Sequence, residues 1–429
     1  MTPPIEKARE WLEATGGIVA VLLLVQFVTG VLLAFYYVPS VDHAYTTVSY
    51  VEKVVSSGAW LRALHHYGSQ WLAFFVFLHV IRLFLTRAYV SNKIQWVVAI
   101  LLLGLAMAAG GTGYSLPWDA RAFFSTRIAE GLMAGLPFVG QMARLWLLGG
   151  NDISTITLSR FFALHVFVIP ACVIAVVAWR MFRSNLAEIF GYCHAIAGGV
   201  VFLALAMWSL KYRAPLGPSL AAMPVNYVPR PGAQFLWLYQ SLKYLPGGLG
   251  SLAGVALPGI VLTILVLLPW IKRQRLIAGT ILGLLVVLVA GTTAASYLSD
   301  RSDPQTSRQL SIQAAQEDVW RREPFKPAPI TLAAATTSGE DPSGGAPVMY
   351  RKFCANCHGP NGEGARQGRL NFPPLLDVSA KPRRTVNDIV EILKDPPAYG
   401  LSPPMRSFTD KLTDEQMKEI GEWIVKLKR

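Results

Sequence analysis

The chain has 429 residues, of which 53% are hydrophobic and only 15% are charged, and its formal net charge is +13. Soluble globular proteins average about 25% charged residues, so this composition excludes a disordered chain and argues against a purely soluble enzyme. The sequence has no Lys/Arg-rich run with interleaved aromatic residues, which argues against a nucleic-acid partner. Its basic excess suits anionic membrane lipid instead.

The charges divide the chain into two parts. Residues 1–298 contain 20 Lys and Arg against 9 Asp and Glu, a net charge of +11, whereas residues 299–429 contain 19 against 17, a net charge of +2. A charge-poor part followed by a charge-rich, nearly balanced part predicts a membrane domain followed by a water-soluble domain.

The first part contains apolar runs that are long enough to cross a bilayer, which takes roughly 20 residues. Seven candidate spans occur in chain order: 17–37, 69–89, 95–115, 162–182, 194–210, 251–271 and 276–298. Residues 133–147 are amphipathic and interrupted by Pro137, which predicts an interfacial helix pair. The aromatic segment 231–246 predicts an extramembrane loop.

The second part begins with a segment that predicts a linker. Residues 299–345 are rich in Ser, Thr, Ala, Pro and Asp and show no apolar period. Residues 346–429 then predict a compact soluble domain. Two capping boxes mark helix starts in this domain: Thr385 with Asp388, and Thr413 with Gln416.

The soluble domain contains the sequence Cys354-Ala-Asn-Cys357-His358, which has the spacing of a c-type haem attachment site. Two thiols at this spacing form thioethers with one porphyrin while the imidazole of His358 binds the iron. The alternative, a zinc or redox C-x-x-C pair, lacks a second pair of metal ligands in the domain. Met405 is the best candidate for the sixth ligand. Residues 346–429 resemble a small class I cytochrome c.

Four of the seven histidines lie in or near the apolar spans, among them His65, His79 and His165. His65 and His79 are separated by nearly four helical turns, so both project from one helix face about 21 Å apart. His165, near the start of the fourth span, is positioned to pair with His65 in an antiparallel neighbour. An ionisable residue at membrane depth indicates a functional site, although a hydrogen-bonded core histidine is the alternative.

Residues 1–298 resemble the cytochrome b of respiratory and photosynthetic bc complexes. The closest match is the chloroplast type, with its four-helix protein and its three-helix partner joined here in one chain. The resemblance rests on Gly16-Gly17, Gln26 to Gly30, Gly113 to Asp119, and Leu158 to His165. It implies that His65 and His165 bind the haem b nearer the outer face, and that His79 belongs to an inner haem b.

The same resemblance implies further roles around the cofactors. Gly30 and Gly113 would allow close approach of haem to the helix backbone. The stretch from Gly113 to Asp119 matches the wall of the family's quinol pocket. The arginines expected near haem propionates are Arg62, Arg82 and Arg160.

The sequence departs from the family at the inner haem. In the family's register the fourth ligand would lie at the position of Arg180, and an arginine does not bind haem iron at ordinary pH. Three alternatives stay open: the inner haem is absent, it is bound by His79 with a different sixth ligand, or it is five-coordinate. His194 is the best substitute ligand, and it is also suited to binding quinone or to a plain interfacial position.

A second departure concerns the outer quinol site. The family has a Pro-Glu-Trp-Tyr stretch, whereas this chain has Pro231-Gly232-Ala233-Gln234. The proton-accepting carboxylate is therefore missing, because Gly232 has no side chain and Gln234 has no useful pKa. Both departures argue against bifurcated quinol oxidation.

Together these features predict an all-α chain: a seven-helix transmembrane cytochrome b bundle with a soluble class I cytochrome c domain at its C-terminus. The expected divisions are a four-helix haem-b domain (1–190), a three-helix cytochrome b domain (191–298), the linker (299–345) and the cytochrome c domain (346–429). Because bacteria attach haem c outside the cytoplasm, we expect a bacterial inner-membrane protein with a cytoplasmic N-terminus and a periplasmic haem c domain.

The expected function is electron transfer between membrane quinone and a periplasmic carrier, through haem b and a tethered haem c, as a subunit of a bc-type quinol:cytochrome c oxidoreductase. A separate Rieske or other redox subunit is expected as a partner, within a dimeric multi-subunit complex. The alternative is a non-bifurcating membrane anchor that conducts electrons for another oxidoreductase, which Arg180 and Gly232 favour.

Overall fold

The computed structural model describes residues 14–183, 191–224, 226–245, 248–326, 348–359, 361–367, 370–372, 374–376, 385–399, 405, 407–409 and 411–427. The chain divides into two compact units, Met1–Met223 with Val228–Ala328 and Pro224–Tyr227 with Pro329–Arg429. The predicted positions Pro231 to Gln234 lie within the described residues, as does Met405, whereas residues 327–345 of the predicted linker lie outside them.

The described part of the first unit consists of helices joined by loops. Its helices are α1 (Thr15–Ala34), α2 (Ala44–Lys53), α3 (Gly58–Leu85), α4 (Lys93–Ser115), α5 (Ala120–Ala134), α6 (Gly140–Leu148), α7 (Thr155–Phe182), α8 (Tyr192–Lys211), α9 (Leu236–Leu242), α10 (Gly248–Trp270), α11 (Gln274–Ser302) and α12 (Pro304–Arg322). A short helical turn, Ala88–Ser91, joins α3 to α4.

Seven of these helices are long and apolar enough to cross a membrane: α1, α3, α4, α7, α8, α10 and α11. This confirms the seven spans expected from the sequence. The segment predicted as an interfacial helix pair contains the end of α5 and nearly all of α6, and the segment predicted as a loop contains the short helix α9.

Buried aliphatic side chains hold the spans together. One cluster joins α1, α3, α4 and α8 through Leu22, Val25, Leu72, Leu102 and Leu205. Because there is little net hydrophobic drive between helices in lipid, close packing of such side chains carries the association. Polar caps fix where helices begin: Asn92 accepts a hydrogen bond from the Gln95 amide at the start of α4, and Asp119 accepts one from the Ala122 amide at the start of α5.

The first half of the predicted linker is helical. Helix α11 continues to Ser302, and α12 follows at once because Asp303 caps its N-terminus and Pro304 occupies its first position. The sequence showed no apolar period here because α12 packs through charged and polar groups rather than through an apolar stripe.

The second unit contains four helices and one hairpin in its described part: α13 (Val348–Phe353), α14 (Ala355–His358), β1 (Ala365–Gln367), β2 (Leu370–Phe372), α15 (Val386–Lys394) and α16 (Asp414–Lys426). The two short strands pair antiparallel, with Arg366 opposite Asn371. Both expected capping boxes are present, at the starts of α15 and α16. The core contains Tyr350, Leu393, Met417 and Ile420.

Candidate functional site

An elongated cavity of about 750 Å³ runs through the helical bundle of the first unit. It passes His79 and His194 at one end, His65 and His165 in the middle, and Tyr114 at the other end. The remaining lining is mostly aliphatic, from α1, α3, α4 and α7. A mainly apolar cavity with a few convergent polar groups is the usual form of a cofactor site.

The imidazoles of His65 and His165 face each other across this cavity. Their ring centroids are 6.0 Å apart and their planes are inclined by 81°. Two metal–imidazole bonds of about 2 Å each, plus about 1 Å from each nitrogen to its ring centre, give about 6 Å. The spacing of the two rings therefore fits one iron held between them.

Hydrogen bonds fix which nitrogen of each imidazole ring is available to bind a metal. The Nδ1 atom of His165 lies 3.0 Å from the Ala109 carbonyl oxygen, which can only accept, so Nδ1 carries the proton. The Thr29 hydroxyl donates to the Val25 carbonyl at 2.6 Å, so its oxygen accepts from Nδ1 of His65 at 2.9 Å. Both Nε2 atoms keep a free lone pair, which is the form that binds a metal.

Two glycines make room for these rings. A Cβ atom at Gly113 would lie 2.5 Å from Cε1 of His165, and one at Gly30 would lie 3.1 Å from Cε1 of His65. The first distance is too short for any other residue without moving the histidine. These glycines, which the sequence assigned to the haem sites, therefore lie directly against the histidine rings.

The end of the cavity at His79 repeats half of this arrangement, with one histidine instead of two. The Thr15 hydroxyl lies 2.9 Å from Nδ1 of His79, and a Cβ atom at Gly16 would lie 3.6 Å from Cε1 of the same ring. Within the described residues, no second imidazole faces His79 at the distance that separates His65 from His165. His194 lines the same end, with its backbone packed against Gly17 of α1.

Arg180 lines the cavity at the same end as His79. A π-helical turn, Leu164–Val168, contains His165 and interrupts α7 before Arg180. Such a turn absorbs one extra residue, so Arg180 still returns to the helix face that carries His165. Arg180 is close enough to interact electrostatically with His79, as are Arg82 and His194.

The three arginines expected near haem propionates differ in their surroundings. Arg62 lines the cavity, but its guanidinium donates to the Glu52 carboxylate at 2.7 Å and to the Ala214 carbonyl at 2.5 Å. Arg160 is exposed, lies away from the cavity lining and donates to the Trp146 carbonyl. Arg82 lies on α3 one turn beyond His79.

The other end of the cavity is formed by the stretch that resembles a quinol-pocket wall. Tyr114 donates to the Arg230 carbonyl at 3.2 Å, and Gly232 packs beside the Tyr114 ring. Gln234 lines the cavity, and its buried Oε1 has no hydrogen-bond partner among the described residues. An amide oxygen in this position is available to accept a hydrogen bond from a ligand hydroxyl.

Asp119 is the one carboxylate among the described residues that line this cavity. Its two oxygens accept from the amides of Ala122 at 2.8 Å and Gly217 at 2.5 Å. Burial raises the pKa of the Asp119 carboxyl, and the charge of Arg121 and the two amides oppose this effect. Asp119 is therefore chiefly a structural cap, with both of its oxygens already engaged.

The haem-attachment residues of the second unit surround its core. Cys354 is buried, Cys357 and His358 are partly buried, and all three lie at or within the short helix α14. Burial raises the pKa of the Cys354 thiol to about 12. Met405 packs against the core cluster that contains Cys354, whereas Met417 is an integral part of that core. Met349 is likewise partly buried against this cluster, so Met405 stays a predicted ligand.

Sequence reasoning missed two threonines and one ion-pair network. Thr15-Gly16 recurs on α1 as Thr29-Gly30, at the same spacing that separates His79 from His65 on α3. This matched period was the signal that could have identified the threonines. The partners of Glu52 lie on α3, just after α8 and on α12, far apart in the sequence, and no local pattern connects them.

Comparisons with known proteins identify the families to which the two parts of the chain are similar. Residues 5–185 match the family model described as cytochrome b/b6/petB, and residues 344–428 match the model for cytochrome c. Cytochrome b6 from Prochlorococcus marinus strain MIT 9211 is 38% identical over 156 residues, which cover 36% of this chain and 72% of the relative. Cytochrome b6 from strain MIT 9303 of the same species gives the same identity and coverage.

A solved structure described as "Hyperthermophilic respiratory Complex III" has a similar fold. It superposes with a TM-score of 0.53 and 19% identity, and the match covers 72% of this chain and 89% of that chain. The b and c cytochrome families bind haem b and haem c, respectively, and transfer electrons. On these grounds the chain belongs to the cytochrome b/b6 family and carries a cytochrome c domain at its C-terminus.

Proposed function

We propose that this chain is the electron-transfer subunit of a bc-type quinol:cytochrome c oxidoreductase, moving electrons between membrane quinone and a periplasmic carrier. The observation that carries the proposal is the His65–His165 pair, 6.0 Å apart in a cavity that extends to the stretch from Gly113 to Asp119. A haem site and a quinone-sized apolar pocket are thereby continuous.

In this proposal His65 and His165 would hold one haem b through their Nε2 atoms. A haem bound there supplies a one-electron redox centre in a region of low dielectric constant. Thr29 and the Ala109 carbonyl hold the Nδ1 protons, which keeps both rings in the metal-binding tautomer and raises the basicity of the ligands. Gly113 keeps the His165 ring in place by leaving room for it.

At the quinone end, Tyr114 and Gln234 contribute the polar groups. The Gln234 Oε1 atom accepts a hydrogen bond from a quinol hydroxyl, but an amide does not take up the proton that quinol oxidation releases. The Asp119 carboxylate is engaged by two backbone amides. Proton release therefore needs water or a group from a partner subunit, such as a Rieske protein.

At the inner end, we propose that His79 does not pair with a histidine at the family's position. Thr15 and Gly16 orient His79 as Thr29 and Gly30 orient His65, but Arg180 occupies the place of the fourth ligand. The inner haem is consequently absent, or bound by His79 as a five-coordinate centre or with another ligand such as His194. The first two alternatives leave one low-spin haem b per chain, whereas ligation by His194 adds a second.

In the soluble domain, Cys354 and Cys357 would attach haem c, and His358 and Met405 would bind its iron. Helix α12 ends at Arg322 and α13 begins at Val348, so the segment 323–347 joins the two elements. We propose that this segment, which lies almost entirely within the predicted linker 299–345, tethers the haem c domain to the membrane bundle.

The remaining assignments follow the same proposal. Domain divisions at 1–190, 191–298, 299–345 and 346–429 are retained, with α12 as a structured part of the third segment. The protein is proposed to lie in a bacterial inner membrane, with the N-terminus in the cytoplasm and haem c in the periplasm. It is proposed to function as a dimer within a multi-subunit complex.

The decisive experiment is quinol-dependent reduction of haem b and haem c in membranes that contain the full complex. We expect a quinol analogue to reduce both haems, and inhibitors of the outer quinol site to block the reduction. Gln234→Ala should slow quinol oxidation about tenfold without changing the haem spectra, because it removes the polar acceptor and no haem ligand. A complete lack of response to quinol would refute the proposal.

A second candidate function is a non-bifurcating membrane anchor that conducts electrons in one direction for another oxidoreductase. Arg180 and Gly232 favour it, since a single haem b and a missing carboxylate both remove parts that bifurcation requires. Haem stoichiometry bears on this choice. A ratio of two haem b to one haem c, with all haem b low-spin, would exclude a single haem b per chain and so remove one of the two observations that favour this second candidate.

A further inference from the structure

A second cavity lies at the end of the bundle where α3 begins and where α8 and α12 end. Its volume is about 560 Å³, and it lies apart from the histidine-lined cavity. Four cationic side chains, Lys53, Arg213, Arg321 and Arg322, line it together with two carboxylates, Glu52 and Glu323.

The N-terminus of α3 forms one wall of this cavity. Ser57 precedes the helix with a φ of 58°, and its side chain makes no capping hydrogen bond. The backbone amides of Ala59 and Trp60 have no acceptor within the described part of the chain. Unpaired amides at the start of a 28-residue helix carry partial positive charge and favour an anion.

Ser209, on α8, supplies an independent sign of a ligand. The residue is only 2% exposed, it lines the cavity, and its Oγ has no hydrogen-bond partner among the described residues. A serine in a helix can satisfy its hydroxyl on the preceding turn, yet this one does not. A buried hydroxyl left without a partner implies a group that the protein alone does not supply.

The charge balance also favours an anion. Glu52 is buried, and three arginines already compensate it: Arg321 at 2.6 Å, Arg62 at 2.7 Å and Arg213 at 3.5 Å. Arg322 is exposed and makes no ion pair among the described residues. The cavity thus presents cations and helix amides in excess of its carboxylates.

We propose that this cavity binds an anionic phosphate group, through the α3 N-terminus, Ser209 and Arg322. Phosphate has three or four acceptor oxygens, which suits two amides, one hydroxyl and a guanidinium together. The headgroup of a phospholipid and free phosphate both present this chemistry. The site is independent of the haem content and of the proposed quinol reaction.

The test uses the full haem-loaded chain, purified in a non-ionic detergent and stripped of lipid. Binding of inorganic phosphate and of dihexanoylphosphatidylglycerol below its micelle concentration is measured by calorimetry. We expect saturable binding at one site per chain. Tighter binding of the lipid identifies a headgroup as the source, and equal binding identifies free phosphate; both outcomes support the site.

Three variants define the site. Arg322→Gln and Ser209→Ala should each weaken binding about tenfold, because each removes one hydrogen bond to a charged group. Arg308→Gln is the matched control, since Arg308 is also exposed on α12 but does not line the cavity. Without probe, Ser209→Ala should keep or raise the melting temperature, because it removes a buried unpaired hydroxyl.

Two results would overturn the proposal. One is the lack of saturable binding of either probe by the wild-type chain. The other is equal weakening by Arg322→Gln and Arg308→Gln, which would indicate attraction to surface charge in general.

Discussion

Arg62 and Glu52 form a nearly buried ion pair: the arginine Nε lies 2.7 Å from the carboxylate, and the two side chains are 10% and 1% exposed. The arginine that family resemblance assigns to a haem propionate thus already has a carboxylate partner within the protein. Arg321 of α12 joins the same carboxylate at 2.6 Å. Helix α12 is thereby fastened to the end of the bundle at which α3 begins.

The anchoring of α12 can be tested at Glu317. This carboxylate accepts from Arg121 at 2.8 Å, from the Leu216 amide at 2.8 Å and from Arg321 at 2.5 Å, and its side chain is 13% exposed. Glu317→Gln should destabilise the docked helix by about 2 kcal/mol, because it leaves two arginines partly unpaired. Amide hydrogen exchange within α12 should then accelerate about 30-fold.

The neighbouring Asp318→Asn is the control for this change. Asp318 is exposed, and no ion pair joins it to the described residues. Exchange in α12 should stay as in the wild-type chain. Equal exchange rates in Glu317→Gln and the wild-type chain would show that the charged network does not hold the helix.

The start of α12 should respond to pH through Asp303. The Thr306 hydroxyl and the Gln305 amide donate to the Asp303 carboxylate and lower its pKa below the ordinary value. A lowered folded-state pKa gives stability that is present above the unfolded value, about 4, and is lost as pH falls through the folded value. The protection of the first-turn amides against hydrogen exchange, relative to the intrinsic rate at each pH, should fall below about pH 4, and Asp303→Asn should abolish this dependence.

The close approach of Gly113 to His165 predicts a spectroscopic loss. In Gly113→Ala the new methyl group would lie 2.5 Å from the ring, so the imidazole must move and most of the low-spin haem b signal should disappear. Gly111→Ala is the control on the same helix, since its nearest neighbour, Phe235, is 4.0 Å away. Optical spectra of the purified variants measure the low-spin haem b signal. Retention of the normal signal in Gly113→Ala would contradict the assignment of His165 as a ligand.

The two threonines of α1 distinguish the outer and inner sites. Thr29→Val removes the acceptor for Nδ1 of His65 and should weaken retention of low-spin haem b about tenfold. Thr15→Val makes the same change at His79 and should leave the low-spin signal unchanged, because His79 has no opposing imidazole in the described residues. Loss of low-spin haem b in Thr15→Val would reveal a second six-coordinate haem.

Met405 and Met417 offer a matched pair in the soluble domain. Met405→Leu should lower the midpoint potential of haem c by on the order of 100 mV, since a thioether ligand raises the potential and axial ligands span about 0.8 V. Met417 is 1% exposed in the core, and Met417→Leu conserves volume, so the potential should not change. Redox titration of haem c measures both variants.

The sequence alone determined the membrane spans, the haem c motif and the departure from the family at the position of the fourth haem b ligand. A transmembrane helix satisfies every backbone hydrogen bond within one continuous apolar segment, so the local composition of α1 or α11 is sufficient to locate them. The Cys354 motif is likewise local, because attachment to one porphyrin needs two thiols and an imidazole at a fixed spacing. The identity of Arg180 was also readable from a count along one helix.

The tertiary structure decided what depends on residues distant in sequence. Helix α12 has no apolar stripe, so the sequence did not reveal it as a helix. It is held by ion pairs of Glu317 and Arg321 with residues on α5 and α2. The free nitrogen of His65 depends on Thr29, 36 residues earlier, and that of His165 on a carbonyl 56 residues earlier. Hydrogen bonds and ion pairs of this kind form only once helices have packed, and a pattern along the chain does not encode them.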